Sequence, residues 1–287
     1  MSAVSDGLAL ALSGGGLRGL AHLGVLEVLE REGLAVRAIA GTSMGGFVGA
    51  LLAAGVPLAT IQAELAGTLA TRRLLGLLDL RVSRWGVALR GRRVHALLRR
   101  LLGGDRPFSS LAFPLALVAS DLSSGREVVL RDGPVADAVR ATISVPGVFE
   151  PVERGRMRLV DGGLLDNLPV GVARSLSDRP VVAIDVLPFF RANRPGEEPS
   201  VTPLRAARSP QGLRDALHRS MMMIAEMGAL RLALDPPDLV LRPAVPPDVT
   251  LLFGRQRTTE IVTAGRVAAE AALPLLVELA ARAPAAR

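Results

Sequence analysis

Val36-Arg37-Ala38-Ile39-Ala40 runs directly into Gly41-Thr42-Ser43-Met44-Gly45, and an apolar, helix-forming run from Phe47 to Ala54 follows. An apolar strand, a turn with glycine on both sides of a serine, and then a helix is the context in which Gly-x-Ser-x-Gly becomes a nucleophile elbow. Gly41 and Gly45 let the backbone fold back tightly, so that the Ser43 hydroxyl protrudes at the end of a sheet. A serine that merely caps a helix has no need of glycine at both positions. The segment predicts an enzyme of the serine acyl hydrolase type.

Upstream, Leu8-Ala9-Leu10-Ala11-Leu12 reads as a short buried strand, followed by Ser13-Gly14-Gly15-Gly16-Leu17-Arg18-Gly19. From Leu20, apolar residues at Leu20, Leu23, Leu26, Val28 and Leu29 oppose Glu27, Glu30, Arg31 and Glu32, the spacing of an amphipathic helix closed by Gly33. A β-α-β-α opening of this kind predicts an α/β fold with a mostly parallel sheet and helices on both faces. Taken alone, Gly14-x-Gly16-x-x-Gly19 matches a dinucleotide-binding fingerprint, but the second strand ends in Ala40-Gly41-Thr42 without the carboxylate that would hold a ribose. What remains is a glycine turn with free N–H groups at a helix start, a good anion site. In an acyl hydrolase the anion is the tetrahedral oxyanion. The two glycine turns should be neighbours in a parallel sheet, so the amides of Gly15, Gly16 and Met44 are expected to converge on one oxygen.

Ser43 needs a base. Leu159-Val160 delivers Asp161 onto Gly162-Gly163, a tight turn at a strand end. Asp166 is the rival acid, although Asp166-Asn167 before Leu168-Pro169 reads as a helix N-cap pair; Asp121 and Asp185 also end strand-like runs. Arg18 is expected either to pair with a nearby carboxylate or to contact substrate. His22 lies in the first helix, His95 in an arginine-rich segment, and His218 on a later helix with no glycine turn to present it.

The whole chain, 287 residues, reads as one domain. Its core spans about 8–190, an interrupted helical cap about 58–106, and a C-terminal helical region about 212–287. Strand character returns at Pro114–Ser120, Glu127–Leu130, Met157–Val160, Pro180–Val186 and Leu239–Leu241; Val135–Ala141, Val170–Leu176, Leu213–Leu234 and Arg255–Ala283 read as helical. Pro188 to Gly212 is the least structured stretch. The chain is 49% hydrophobic, enough for a substantial core. It has no cysteine, which excludes disulfides, thiolate metal sites and cysteine nucleophiles, and three histidines argue against a histidine-rich metal site. Residues Ala38 to Ala63 carry no charge, but Gly41, Gly45, Gly46, Gly49, Gly55 and Pro57 punctuate them, so a buried strand and helix fit better than a membrane span. Met1 to Gly7 has no basic segment before its apolar run, and a soluble, cytoplasmic protein is expected.

Net charge is +7 and every cation is arginine, with ten arginines and two acids between Arg72 and Arg106. Arg92 to Leu102 interleaves arginine pairs with leucine pairs, giving on a helix an apolar stripe edged by guanidinium groups. Peripheral contact with an anionic membrane is one expectation, and a cap helix packed on the core with solvated arginines the other. Nucleic acid is a poor fit at 3% aromatic residues.

Gly14-Gly15-Gly16-Leu17-Arg18-Gly19, Gly41-Thr42-Ser43-Met44-Gly45 and Asp161-Gly162-Gly163 resemble, in order and spacing, the three signatures of the patatin-like phospholipases. Ile143-Ser144-Val145-Pro146-Gly147-Val148-Phe149-Glu150-Pro151 and Ala21-His22-Leu23-Gly24-Val25-Leu26 are similar to stretches that these proteins carry. The resemblance covers roughly residues 8 to 190. It implies a three-layer α/β/α sandwich and a Ser–Asp dyad without histidine, with Ser43 as nucleophile, Asp161 as base and the Gly14–Gly19 loop as oxyanion hole. It also implies a lipid or fatty-acyl ester substrate and neither metal nor organic cofactor. A lysophospholipase, a general carboxylesterase and a lipid-binding regulatory protein with incidental turnover are the alternatives.

Overall fold

The computed structural model describes residues 7–69, 76–83, 86–187, 210–250 and 253–282, without the side chains of 69, 82–83, 86–87 and 210–220. The expectations for Met1 to Asp6, for residues 188–209, and for Arg72, Arg73 and Arg84 lie outside the described residues.

Leu8–Leu12 (β1) pairs in parallel with Val36–Thr42 (β2), which pairs in parallel with Leu115–Asp121 (β5). On the other side of β1 lie Val181–Ile184 (β9) and then Leu239–Leu241 (β10), both parallel. Arg126–Leu130 (β6) and Met157–Asp161 (β8) both pair antiparallel with β5, and Val152–Arg154 (β7), a strand the sequence did not announce, pairs with β8. Among the described residues, the sheet has eight strands in the order β10-β9-β1-β2-β5-β8-β7, with β6 on β5.

The period-two alternation of the central strands sorts large from small side chains. Leu8, Leu10, Leu12, Ile39, Leu115 and Leu117 form one core with the helices Ala21–Arg31 (α1), Ser43–Ala53 (α2), Val135–Thr142 (α5) and Thr258–Ala271 (α8). Ala9, Ala11, Ala38, Ala40 and Ala116 face the other way, and their small side chains let the short helix Val170–Leu176 (α6) settle close to the sheet. Helices on both faces of a mostly parallel sheet make the three-layer α/β/α sandwich. Helices α1 and α8 touch backbone to backbone: a Cβ on Gly24 would collide with the Val262 carbonyl, and one on Gly265 with the Ala21 carbonyl.

The cap differs from expectation. Leu58–Leu69 (α3) and Arg92–Leu102 (α4) are helical, but Leu80–Ser83 (β3) and Gly86–Leu89 (β4) between them form an antiparallel hairpin. Four-residue strands are too short to show their alternation against the surrounding leucines and arginines. The C-terminal helical run is also broken: α8 ends at Ala271 and Leu273–Ala281 (α9) restarts with Pro274 in its first turn, where a missing N–H costs nothing. Helix Pro210–Leu234 (α7) lies between β9 and β10 in the chain. Among the described residues, no helix is long and apolar enough to cross a membrane.

Candidate active site

Ser43 is the first residue of α2 and has φ +53°, the one positive φ at a non-glycine position among the described residues. Such a conformation costs of order 1–3 kcal/mol and persists only where the surroundings over-determine it. The surroundings are visible. Gly45 has no room for a Cβ against the Leu12 and Ser13 carbonyl oxygens, and Gly41 is packed on Gly45 and Gly46. The Ser43 N–H donates to Thr142 Oγ1 at 2.9 Å, and the Thr142 hydroxyl donates to the Val118 carbonyl. The Thr42 hydroxyl donates to the Asp166 carbonyl at 2.8 Å.

The sheet register brings Asp161 to this turn. Thr42 pairs with Val118 on β5 and Asp161 pairs with the next residue, Ala119. Strands β2 and β8 therefore end on consecutive positions of one strand, although Ser43 and Asp161 are 118 apart in sequence. The Ser43 hydroxyl donates to Asp161 Oδ2 at 2.6 Å. The other oxygen, Oδ1, accepts the Gly163 N–H at 2.8 Å, and the Asp161 N–H donates to the Ser144 carbonyl at 3.0 Å. Gly162, which starts the turn, is pressed on the Val118 carbonyl. Burial pushes the Asp161 carboxyl up to about 6, against the opposing pull of the Ser43 hydroxyl and the Gly163 N–H.

The glycine loop after β1 lies beside this pair, but its amides are not equivalent. The Gly14 N–H is committed to the Asn167 carbonyl at 3.1 Å and the Arg18 N–H to the Gly15 carbonyl at 3.2 Å, so these two are not free to meet an oxyanion. The amides of Gly15 and Gly16 have no main-chain acceptor among the described residues, and Met44 lies in the first turn of α2, where N–H groups lack intrahelical acceptors. Leu17 turns its side chain into the core, and Gly19 makes room for Met44 Cβ and Cγ.

Arg18 does neither of the things expected of it. It is 3% exposed, and its guanidinium donates to the carbonyls of Val186 (2.7 Å), Val249 (3.0 Å), Pro246 (3.2 Å) and Val245 (3.4 Å). Burial lowers it to about 10, partly offset by the charge of Asp185. It ties the glycine loop to the 245–249 segment.

The rival acids are otherwise employed. Asp166 is no N-cap, because α6 begins at Val170 after Pro169; its carboxylate is 3.3 Å from Arg231, and burial raises it to about 6. Asp121 accepts the Ser124 hydroxyl and the N–H groups of Ser123, Ser124 and Arg158, which together hold it down at about 2. Burial raises Asp185, which accepts the Leu187 N–H. His22 is fully buried with Nε2 2.9 Å from the Ser13 carbonyl, and burial lowers it to about 4, so it is neutral. His95 pairs with Asp137 at 2.7 Å on the outside of the cap. The His218 side chain lies outside the described ones. Thr142, Ser144 and Asn167 hold the two loops and the elbow together; the sequence places Ser144 in a family-like stretch and reads Asn167 as a cap, and Thr142 had no signal beyond its nearness to the motifs.

Among the described residues, two cavities have Ser43 in their walls. One of about 190 Å³ lies under the cap, walled by Phe47, Leu51, Leu65, Val94, Leu97 and Leu101. The apolar stripe of α4 thus faces inward, with Leu98 and Leu102 buried. Arg99 pairs with Asp105 at 2.6 Å, Arg100 with Glu64 at 3.0 Å, and Arg93 donates to the Gly76 carbonyl at 2.9 Å. The second cavity, of about 160 Å³, has Asp161, Gly163 and Asn167 in its wall together with Leu164, Met221 and Ile224.

A strand–turn–helix serine facing a buried carboxylate, on an α/β/α sandwich beside an apolar cavity, defines the class. The chain belongs to the patatin-like phospholipase family, whose model matches residues 10–174, more than half of its length. It is 36% identical over 198 residues to an uncharacterized NTE family protein of Mycobacterium tuberculosis, covering 69% of this chain and 54% of that one. It is 34% identical over 188 residues to the patatin-like phospholipase domain-containing protein 6 of Mus musculus, covering 62% of this chain and 13% of that one. The chain thus spans about half the length of the first of these relatives. The solved structure of VipD from Legionella pneumophila superposes with a TM-score of 0.49 at 14% identity, over 95% of this chain and 67% of that one.

Proposed function

We propose that this chain is a lipid acyl hydrolase that cleaves carboxylic ester bonds through an acyl-serine intermediate, with Ser43 as nucleophile and Asp161 as base. The observation that carries it is the 2.6 Å hydrogen bond from the Ser43 hydroxyl to the buried Asp161 carboxylate, at a cavity walled by leucine and phenylalanine. Asp161 takes the hydroxyl proton as Oγ attacks the ester carbonyl, and returns it to the departing alcohol. A water molecule then repeats the sequence to release the fatty acid. Aspartate at its ordinary pKa is a weak base, and burial corrects this by lifting it toward neutral pH. The amides of Gly15, Gly16 and Met44 supply the oxyanion contacts. Each donor of this kind is worth about 3–4 kcal/mol to the transition state.

The test is a fluorophosphonate probe together with a panel of phospholipids, lysophospholipids and short-chain esters. Wild type should be labelled at Ser43 and turn over lipid esters. Ser43→Ala should abolish labelling and turnover, and Asp161→Asn should reduce turnover by at least ~100-fold, the range of a lost general base. Retained turnover by Ser43→Ala would overturn the proposal.

A further inference from the structure

The walls of the two cavities have only Ser43 and Val145 in common. Asp161 belongs to the wall of the cavity under α7 alone, whereas Met44 belongs to the cavity under α3 and α4. Gly15 lies on the first of these and Gly16 on the second, so the free amides straddle the division. An ester carbonyl held by those amides over Ser43 can therefore send one arm into each cavity.

Proton bookkeeping decides which arm goes where. When the Ser43 Oγ–carbonyl bond forms, the hydroxyl proton passes to Asp161. When the carbonyl–alkoxy bond breaks, that proton must reach the leaving oxygen, which becomes the alcohol. A carboxylic acid delivers a proton only within hydrogen-bond reach, about 2.6–3.2 Å. The leaving oxygen thus lies on the Asp161 side, and the acyl chain lies on the other.

Taking the Ser43–Asp161 dyad proposed above as given, we propose that the alcohol portion of the substrate occupies the cavity under α7, the acyl chain occupies the cavity under α3 and α4, and the preferred substrates are esters that are apolar on both sides of the scissile bond. Polar groups in the alcohol-side cavity cluster at its Ser43 end, where Asp161 and Asn167 stand. Beyond them its wall is Pro146, Leu164, Leu187, Met221 and Ile224. A small or fully polar alcohol leaves that surface wetted, whereas an alkyl chain gains about fourfold in affinity for each methylene it buries. Leu187, Met221 and Ile224 lie beyond the span matched by the family model, so the alcohol preference is set by the C-terminal part of this chain.

Ethyl acetate, ethyl hexanoate, hexyl acetate and hexyl hexanoate, assayed with the full chain below their solubility limits, separate the two arms. Wild type should favour hexyl hexanoate over ethyl hexanoate and over hexyl acetate, each by about tenfold or more in kcat/KM. Ile224→Trp should collapse the hexyl-over-ethyl preference, and Leu101→Trp the hexanoate-over-acetate preference. If a tryptophan variant does not fold, Ile224→Ala and Leu101→Ala serve instead, each shifting the preference on its own arm toward longer chains. Wild-type indifference to alcohol length would overturn the proposal, as would an Ile224 variant that alters acyl preference in place of alcohol preference. Ser43→Ala isolates the underlying dyad: turnover surviving in that variant sinks the dyad itself, whereas its loss alongside alcohol indifference sinks only the assignment of the two arms.

Discussion

Replacing Asp161 by asparagine should stabilise the protein at neutral pH while removing its activity, and the size of the gain should depend on pH. Burial raises the Asp161 carboxyl from 3.8 to about 6 in the folded protein. Between those values the folded state binds more protons than the unfolded chain, so stability falls as pH rises through the window. Two pKa steps correspond to a penalty of about 3 kcal/mol at pH 7.5, shrinking to about 0.6 kcal/mol at pH 4, where the folded carboxyl is protonated and the unfolded one only a little more than half ionised. Asparagine carries no charge at either pH and escapes this penalty. It disturbs the contacts with Ser43 and Gly163, but that cost is the same at both pH values. Urea unfolding of wild type and Asp161→Asn at pH 7.5 and pH 4 therefore isolates the effect in the difference of differences. The variant should gain about 2 kcal/mol relative to wild type between pH 4 and pH 7.5. A stability difference that does not change with pH would refute the claim that a desolvated carboxylate sits at this position.

The same carboxyl should govern the rate: kcat/KM should fall tenfold per pH unit below about 6, because Asp161 must be ionised to accept the Ser43 proton, and a limb near 4 would contradict this. Thr142→Val removes the acceptor of the Ser43 N–H and should destabilise the fold by about 1–3 kcal/mol, with kcat falling more than KM rises, and Thr142→Ser should restore both. Arg18→Met leaves the carbonyls of Val186, Val245, Pro246 and Val249 without their donor, and should lower the melting temperature and kcat together. Gly265→Val drives a side chain into the Ala21 carbonyl and should leave little soluble protein, as judged by expression and circular dichroism.

Ser43 was legible because its chemistry is local. The strand, the two glycines and the helix all lie between Val36 and Ala53, and the strained φ that the motif requires is held by close approaches within that stretch and to Leu12, Ser13 and Thr142 beyond it. Asp161 was legible from its own turn, but its meeting with Ser43 only through the family resemblance, since the meeting depends on β2 and β8 ending at adjacent positions of β5, a matter of register. The loop amides were misjudged as a set for the same reason. Gly14 and Arg18 look like their neighbours in sequence, and only the partners at Asn167 and Gly15 separate them. Asp166-Asn167 before a proline has the composition of a helix cap. Tertiary contacts gave those residues other work: Asn167 holds the glycine loop, and Asp166 faces Arg231 on α7. The β3–β4 hairpin escaped notice because two four-residue strands leave too few alternations to outweigh the flanking helical leucines.

The C-terminal third, which the motifs do not reach, is tied to the site by two arginines, Arg18, which is buried, and Arg231, which is half exposed. Arg18 leaves the glycine loop and binds four carbonyls, three of them in the 245–249 segment; Arg231 leaves α7 and meets Asp166, whose carbonyl holds Thr42 beside Ser43. Each link joins a residue within the family-matched span to a segment outside it. A buried guanidinium satisfied by carbonyls is costly to strand, since leaving such groups unpaired forfeits about 1–3 kcal/mol apiece. The segment and the loop should therefore stay together or fail together. The part of the chain that walls the cavity under α7 thus also braces the turn carrying Ser43, and on the proposed assignment a change of substrate preference made through α7 should alter the rate constant unless Arg231 and the 245–249 carbonyls keep their partners.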